Sequence, residues 1–262
     1  MPPADHAADL DLALRLADLA DRISAVRFGA LDLAVQTKPD LTPVSDADRA
    51  VERAIRETLS RERPDDSVLG EEFGASTPSA SGRRWVLDPI DSTKNFIRGV
   101  PVWATLIALM DGDEVVVGVV SAPAITHRWW AARGHGSWVT RAGATPRRNA
   151  VSKIDELANA SVSFSELSDW AGRRAAVDDV LADAWRMRAY GDFWSHMLVA
   201  EGAVDVSVEP VVSVWDVAAL VVIVQEAGGR YSGFDGSPRA DAGSILCTNG
   251  LLHETMLSRL SR

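Results

Sequence analysis

The sequence predicts a layered fold of helices and sheets, with an α+β first half and an α/β second half. Four apolar runs between residues 85 and 133 have the length and composition of strands. After residue 150, strand-like and helix-like segments alternate. Such elements bury their apolar faces by stacking in layers, and 262 residues that are 47% hydrophobic can form a large core.

Two amphipathic helices are expected before the first sheet. In residues 10–28, apolar residues recur at alternating spacings of four and three, as they do on one face of a helix. A second helix follows Ser45, which is a good N-cap residue. The segment 37–48 contains two prolines and is expected to be a turn-rich loop. Residues 68–74 form a short apolar run that ends in two acids.

The remaining elements fall into two groups, separated by a polar and basic connector at 140–149. The first group contains the predicted strands 85–88, 103–110, 115–121 and 128–133. The second group contains strands at 160–165, 186–190, 204–208, 230–232 and 244–248, and helices at 173–184, 193–202, 216–227 and 251–260. We therefore expect one unit, 1–262, built from an N-terminal half, 1–145, and a C-terminal half, 146–262.

Composition and charge exclude several classes of protein. The formal net charge of −10, with no basic stripe, disfavours a nucleic-acid-binding surface. No apolar run reaches the length of a membrane span, and the N-terminal segment lacks the order of a signal peptide. The single cysteine, Cys247, excludes an internal disulfide and a cysteine-based zinc cluster. We expect a cytoplasmic protein that binds neither nucleic acid nor membranes.

The segment WVLDPIDSTKNF, residues 85–96, places two carboxylates at the end of a buried strand. Pro89 favours extended geometry at Asp88 and bends the chain, so Asp88 and Asp91 can face one point. The carbonyl of Ile90 would be exposed between them. Carboxylate and carbonyl oxygens are ligands that Mg²⁺ prefers. An Asx-turn followed by a helix cap would explain the same residues without a metal, and this segment alone leaves both explanations open.

Other acidic residues can also be explained either by a structural role or by a role in the site. Glu71 and Glu72 are adjacent, so they repel each other unless a cation or solvent separates them, but an exposed turn would also tolerate them. Asp48 and Asp216 each follow a serine at the spacing of a capping box, so each is either a helix cap or a site residue. Lys38 is either a surface lysine or a charge that holds the acids together.

The motifs and their order resemble the inositol-monophosphatase superfamily of metal-dependent phosphatases. The matching segments are TKPDLTPVSDAD, GEE, WVLDPIDSTKNF and WDVAALVVIVQEAGG, and together they extend over nearly the whole chain. The resemblance implies a layered α-β-α-β-α sandwich that hydrolyses a small phosphate monoester. It also implies a homodimer.

The resemblance further implies two to three Mg²⁺ ions per subunit. Glu71, Asp88 and the carbonyl of Ile90 would hold the first ion. Asp88, Asp91 and Asp216 would hold the second, so that Asp88 bridges the two. Glu71 and water would hold a third, weaker ion. Two such ions can clamp the attacking and leaving oxygens of an in-line phosphoryl displacement.

The resemblance also implies the groups around the reacting phosphate. Thr93 would orient the attacking water, with Asp48 accepting from its hydroxyl and Glu71 holding the metal. Backbone N–H groups after Asp91, at Ser92 and Thr93, would bind the phosphate at a helix start. The superfamily has glycine where this chain has Ser92, and glycine there could serve either a positive φ or close approach to phosphate. We expect serine to preserve the fold and metal site and to alter the phosphate site.

On the leaving-group side of the site, the resemblance implies residues that suit a cationic alcohol. RFGALDL, GVPVWATLIAL, RWWAARGHG and RAYGDFW most resemble the actinobacterial histidinol-phosphate phosphatase branch. Asp192, Glu209 and Asp216 would then line the substrate, and the first two suit the ammonium and imidazole of histidinol phosphate. A helix cap is the other explanation for Asp192. We expect a histidinol-phosphate phosphatase of histidine biosynthesis. The alternatives are a phosphatase of inositol 1-phosphate, or of another sugar or nucleotide phosphate, and a metal-binding regulatory protein with low turnover.

Overall fold

The structure is a computed structural model that describes residues 6–78, 80–170 and 172–260. Its helices are α1 (Ala7–Arg27), α2 (Asp46–Glu62), α3 (Thr93–Arg98), α4 (Arg174–Asp183), α5 (Asp192–Ala200), α6 (Val214–Glu226) and α7 (His253–Leu260). Its strands are β1 (Val35–Thr37), β2 (Pro43–Ser45), β3 (Ser67–Gly70), β4 (Gly74–Ala75), β5 (Arg83–Asp91), β6 (Ala104–Asp111), β7 (Glu114–Ala122), β8 (His127–Ala132), β9 (Ser137–Arg141), β10 (Arg147–Arg148), β11 (Ser161–Phe164), β12 (Arg186–Arg188), β13 (Val206–Glu209), β14 (Arg230–Ser232) and β15 (Ile245–Thr248).

An eight-stranded sheet carries the motif-bearing strand β5. Its order is β10-β9-β8-β7-β6-β5-β3-β4. From β5 to β10 the strands run as an antiparallel meander, whereas β3 pairs with β5 in parallel, with Gly70 opposite Leu87. The parallel pairing places the residues that follow β3 beside the end of β5.

A five-stranded sheet contains the strands that follow residue 160. Its order is β12-β11-β13-β15-β14, and β11 is parallel to both β12 and β13. The carboxyl ends of parallel neighbours lie at the same edge of a sheet. Residues that end or follow these three strands are therefore brought together.

Helices separate and cover the two sheets. One core cluster packs α1 and α2 against β5, β6 and β7, and a second packs α5 and α6 against the opposite face of the same strands. A third packs α4 and α7 against the five-stranded sheet. Adjacent side chains of β15 point to opposite faces of the five-stranded sheet. Leu246 packs in the third cluster and Cys247 in the second, so this sheet lies between the two clusters. The order of layers is α-β-α-β-α, which confirms the predicted fold class.

Most predicted elements are confirmed, with ends displaced by a few residues. Segment 37–48 is wrong as a continuous loop, because β1 and β2 form a hairpin that pairs Thr37 with Pro43. The residues of β1 are all exposed, so the sequence shows no apolar alternation that would predict this strand. Strand β9 and the short strands β4 and β10 were also not predicted, whereas α3 begins where a helix start was expected after Asp91. The described strands of the large sheet lie within residues 67–148 and those of the smaller sheet within 161–248. The division at residue 145 stays a prediction.

Among the helices that the structure describes, none combines the length and hydropathy needed to cross a membrane.

Candidate active site

A bulge at the end of β5 directs two carboxylates into the site. Asp88 lies opposite Leu106 of β6 and Asp91 opposite Ala104, so β5 has one more residue than its partner over this stretch. The extra length accommodates Pro89, whose carbonyl accepts from the Thr105 hydroxyl at 2.8 Å. Asp88 and Asp91 are both buried.

Asp216 joins these two residues from the start of α6. One carboxylate oxygen from each of Asp88, Asp91 and Asp216 lies within 4.8 Å of the others. A capping box also holds Asp216, because its Oδ2 accepts from the Ser213 N–H at 2.7 Å. The capping explanation for Asp216 is therefore confirmed, and the cap is compatible with a carboxylate that lies beside the other two; its role as a metal ligand stays a prediction.

Burial and mutual repulsion raise the pKa values of all three acids. Burial and then Glu71 hold the pKa of Asp88 well above its ordinary value. Burial and then Asp192 do the same to the pKa of Asp91. Burial, opposed by the Ser213 N–H and reinforced by Glu71, raises the pKa of Asp216 to about 7. Carboxyl groups in this arrangement are stabilised as carboxylates only when a cation approaches them.

The donor set fits Mg²⁺. Asp88 Oδ1 is buried and has no hydrogen-bond partner within the described part of the chain, although a buried carboxylate oxygen normally has one. Ile90 lines the same cavity as the three carboxylates, and its carbonyl accepts from the Thr93 hydroxyl at 3.0 Å. These donors are all oxygens, which hard divalent cations prefer, and the described residues of the cluster contribute neither sulfur nor imidazole.

Glu71 lies beside the cluster because β3 and β5 are parallel. Its N–H donates to the carbonyl of Leu87 at 3.1 Å, which places it next to Asp88. Its carboxylate is 2.7 Å from Lys38 Nζ, and Glu72 Oε1 is 3.0 Å from the same nitrogen. Lys38 is therefore a charge that holds the acids together. Burial raises the pKa of Glu71 despite this lysine.

The turn that carries Glu71 rests on a buried carboxylate which the sequence did not single out. Glu52 of α2 accepts from the N–H of Glu72 at 2.7 Å and from that of Phe73 at 3.2 Å. A Cβ on Gly70 would lie 2.0 Å from Glu52 Oε1. The glycine of the GEE motif is thus explained by the space that Glu52 occupies.

Thr93 and Asp48 meet at the first turn of α3. Thr93 Oγ1 lies 3.3 Å from Asp48 Oδ1 and 3.0 Å from the Ile90 carbonyl. The other oxygen of Asp48 accepts from the Ser45 N–H at 2.8 Å, which completes the capping box of α2. Asp48 is therefore both a cap and a partner of Thr93. Burial, outweighing the Ser45 hydrogen bonds, raises its pKa.

Ser92 occupies a left-handed backbone conformation, with φ 67° and ψ 46°. Of the two reasons that the sequence left open for a glycine here, the positive φ is the one observed. The Ser92 hydroxyl donates to the carboxylate of Asp192. The expected contact of backbone N–H groups with phosphate stays a prediction.

Asp192 and Glu209 form the other wall of the cavity. Asp192 is the first residue of α5 and Gly191 is the N-cap, so the explanation of Asp192 as the cap residue is wrong. Burial and then Glu209 raise the pKa of Asp192 to about 6. Glu209 ends β13, and its Oε1 lies 3.1 Å from Nε2 of the buried His196.

A cavity of about 270 Å³ contains nearly all the predicted site residues. Those that line it are Glu71, Asp88, Ile90, Asp91, Ser92, Thr93, Asp192, Glu209 and Asp216. Asp48 does not line it, because it is buried behind Thr93.

Sequence reasoning missed two residues of this region. Glu166 lines the cavity and lies 3.1 Å from Lys94 Nζ at the rim. Glu166 lies two residues after the end of β11, so the rule that identified Asp88 at a strand end would have found it. His196 lies inside a helix, where no pattern in the sequence distinguishes it.

Comparisons with known proteins match the chain over nearly its whole length. A model of the inositol monophosphatase family matches residues 9–262. The histidinol-phosphatase of Mycobacterium tuberculosis is 60% identical over 255 residues, which cover 97% of this chain and 98% of that protein. The histidinol-phosphatase of Streptomyces coelicolor is 52% identical over 264 residues, which cover 98% of each. Among solved structures, the extragenic suppressor protein suhB from Bartonella henselae has a TM-score of 0.89 and 28% identity, over 98% of this chain and 99% of that one.

Proposed function

This chain belongs to the inositol monophosphatase family, and we propose that it is a Mg²⁺-dependent phosphomonoesterase that hydrolyses histidinol phosphate to histidinol and phosphate. One observation carries the proposal. The carboxylates of Asp88, Asp91 and Asp216 meet in a cavity whose opposite wall is also acidic. The first set suits metal ions and phosphate, and the second suits a leaving group with positive charge.

The metal-binding side would hold two ions. Glu71, Asp88 and the Ile90 carbonyl would hold one, and Asp88, Asp91 and Asp216 would hold the other. A third ion on Glu71 belongs to the same proposal. When bound, Mg²⁺ lowers the pKa of water and offsets the negative charge of the phosphate. Asp88 Oδ1 has no hydrogen-bond partner among the described residues, which supports its assignment to both ions.

Thr93 and Asp48 would orient the attacking water. The Thr93 hydroxyl has one proton and two acceptors within reach, Asp48 Oδ1 and the Ile90 carbonyl. When the carbonyl binds a cation, the proton is directed to Asp48 instead. The lone pairs of Thr93 then accept from water and aim its oxygen at phosphorus. The ester P–O bond would break as the new P–O bond forms, the attacking water would lose a proton, and the leaving oxygen would take up a proton so that histidinol departs as the alcohol.

The acidic wall would select the leaving group. Histidinol carries an ammonium and an imidazole, whereas inositol is neutral. Asp192, Glu209 and Glu166 all face or border the cavity. With a pKa of about 6, Asp192 is mostly ionised at pH 7 and above and can pair with the ammonium. A neutral polyol would offer these carboxylates no positive charge.

Phosphate release from a panel of esters tests the proposal. We expect histidinol phosphate to be hydrolysed with a higher kcat/KM than inositol 1-phosphate, fructose 1,6-bisphosphate or a nucleotide 3′-phosphate. Chelator should abolish turnover, and added Mg²⁺ should restore it. Preference for inositol 1-phosphate would favour the first alternative substrate. Mg²⁺ binding without turnover of any ester would favour the regulatory alternative.

A cytoplasmic location, a homodimer and a role in histidine biosynthesis complete the proposal. The identity to two histidinol-phosphatases supports the biosynthetic role. Light scattering at micromolar protein concentration tests the dimer. Loss of histidinol phosphate turnover on deletion of the gene, with histidine auxotrophy, tests the biosynthetic role.

A further inference from the structure

We propose that Ser92 is a positioning residue for Asp192 and thereby sets the preference of the site for a cationic leaving group. The inference rests on the proposed function. Ser92 belongs to the strand-to-helix turn that carries the metal ligands, and Asp192 belongs to the acidic wall. The hydrogen bond between them crosses 100 positions of sequence and joins the two sides of the cavity.

The backbone at both residues is held in a region that L-residues rarely adopt. Ser92 has φ 67° and Asp192 has φ 50°. Glycine at position 92 would adopt the same conformation without a steric penalty, but it would have no hydroxyl. Strain of this kind persists where the surrounding structure compensates for it. The compensation visible here is the hydrogen bond from the Ser92 hydroxyl to the Asp192 carboxylate.

Asp192 needs a donor because the repulsion from neighbouring acids outweighs the attraction of His196. Glu209 and Glu166 both repel its charge. The N-cap of α5 is Gly191, and the hydrogen bond to the Asp192 carboxylate comes from the Ser92 hydroxyl. Without Ser92, repulsion would favour rotation of the carboxylate away from the cavity. The Ser92 hydroxyl engages Oδ2, and we assign Oδ1 to the ammonium of the substrate.

A second contact fixes the backbone beside this pair. The N–H of Phe193 donates to Asp91 Oδ2 at 3.1 Å, so the start of α5 is attached to the end of β5. The backbone contact sets the distance between the two walls, whereas the Ser92 hydroxyl sets the orientation of the Asp192 side chain. Loss of the hydroxyl should therefore change substrate preference without separating the walls.

Two substitutions separate the hydroxyl from the backbone strain. Ser92→Gly removes both, and Ser92→Ala removes the hydroxyl but keeps the Cβ at positive φ. We expect each to lower the ratio of kcat/KM for histidinol phosphate to that for glycerol 2-phosphate by about tenfold, the size expected for one hydrogen bond to a charged group. Histidinol binding measured by calorimetry should weaken by a similar factor.

The stability of the glycine variant distinguishes positioning from a structural role. Ser92→Gly should unfold at a higher temperature than Ser92→Ala because its backbone is unstrained, yet it should lose the same selectivity. Ser258→Ala removes an exposed hydroxyl of α7 and should leave the ratio unchanged. In an Asp192→Asn background, Ser92→Ala should change the ratio little further, because the two residues act as a pair.

The outcomes distinguish this inference from the proposed function. Variants that turn over both esters and keep the wild-type ratio would overturn the role of Ser92 and leave the proposed function intact. An equal loss with both esters would also overturn it, because the hydroxyl would then serve the phosphate or the fold. A wild-type protein that fails to hydrolyse histidinol phosphate would overturn both.

Discussion

His196 Nε2 lies 3.1 Å from Glu209 Oε1, beneath the acidic wall of the cavity. Burial opposes protonation of His196, but the neighbouring Cys247 and Glu209 outweigh it and raise its pKa to about 10. A raised pKa favours the protonated form of His196, whose Nε2–H donates to Glu209 and holds that carboxylate in place as it faces the cavity.

His196→Phe should leave Glu209 with no buried cationic partner. We expect a loss of about 3 kcal/mol in the free energy of unfolding, because removal of one member of a buried ion pair leaves the other uncompensated. Urea unfolding at pH 7 measures this loss. His196→Gln keeps a donor and should recover part of the stability. Equal stability of the wild type and the Phe variant would show that the contact contributes nothing.

Asp88→Asn should remove most of the turnover. Asp88 is the proposed bridging ligand, so loss of its charge weakens two metal positions at once. We expect a fall in kcat of at least about a hundredfold, and a smaller increase in melting temperature on addition of Mg²⁺. Asp241→Asn, at an exposed aspartate, is the matched control. Full activity of Asp88→Asn, or of the wild type in excess chelator, would refute the metal assignment.

Gly70→Ala should disturb the turn that carries Glu71. The new Cβ would lie 2.0 Å from Glu52 Oε1, so the carboxylate that holds the turn must move. We expect about 2 kcal/mol of destabilisation and weaker Mg²⁺ binding. Glu52→Gln should weaken Mg²⁺ binding as well, whereas Glu57→Gln on the exposed side of α2 should not. Calorimetric titration of the three variants with Mg²⁺ measures these changes in affinity.

Metal-free stability should depend on pH through the acid cluster. The pKa of Asp216 is about 7 in the folded chain, against about 3.9 for an unfolded aspartate. Between these values the folded state binds more protons than the unfolded state, so the free energy of unfolding decreases as pH rises from about 4 to 7. The shifts at Asp88 and Asp91 act in the same direction.

The substitution Asp216→Asn isolates the contribution of Asp216 to the pH dependence of stability. The stability of wild type relative to Asp216→Asn should fall steadily as pH rises across the range from 4 to 7. Urea unfolding of metal-free protein at half-unit pH steps provides the measurement. Mg²⁺ at pH 7.5 should stabilise the wild type more than the variant. A difference that does not change with pH would contradict the shift assigned to Asp216.

The predictable part of the site consists of local signals. Asp88 and Asp91 follow a buried strand, and the spacing of Asp48 and Asp216 from their serines marks capping boxes. Strands with apolar residues on both faces, such as β5, are recognisable because their apolar runs are continuous. These signals were sufficient to predict stacked layers of helix and sheet and most element positions, whereas the α-β-α-β-α order was implied by the family resemblance.

The unpredicted part consists of contacts between distant segments. Two such contacts are those of Glu52 with Gly70 and of Ser92 with Asp192. They depend on which elements pack together, and local sequence patterns do not specify the packing of distant elements. The hairpin of β1 and β2 was missed for a different reason, because its exposed residues carry no apolar alternation.

Asp192→Asn should weaken histidinol phosphate far more than a neutral phosphate ester. The substitution removes the charge and keeps the shape, so it separates charge pairing from packing. If the pair with the ammonium is desolvated, we expect about 2–5 kcal/mol in kcat/KM for histidinol phosphate, mostly through KM. Glycerol 2-phosphate has no cation and should lose much less. Glu166→Gln, at the exposed rim, should have a smaller effect because solvent screens its charge. Equal losses for both esters with Asp192→Asn would mean that Asp192 does not recognise the leaving group by its charge.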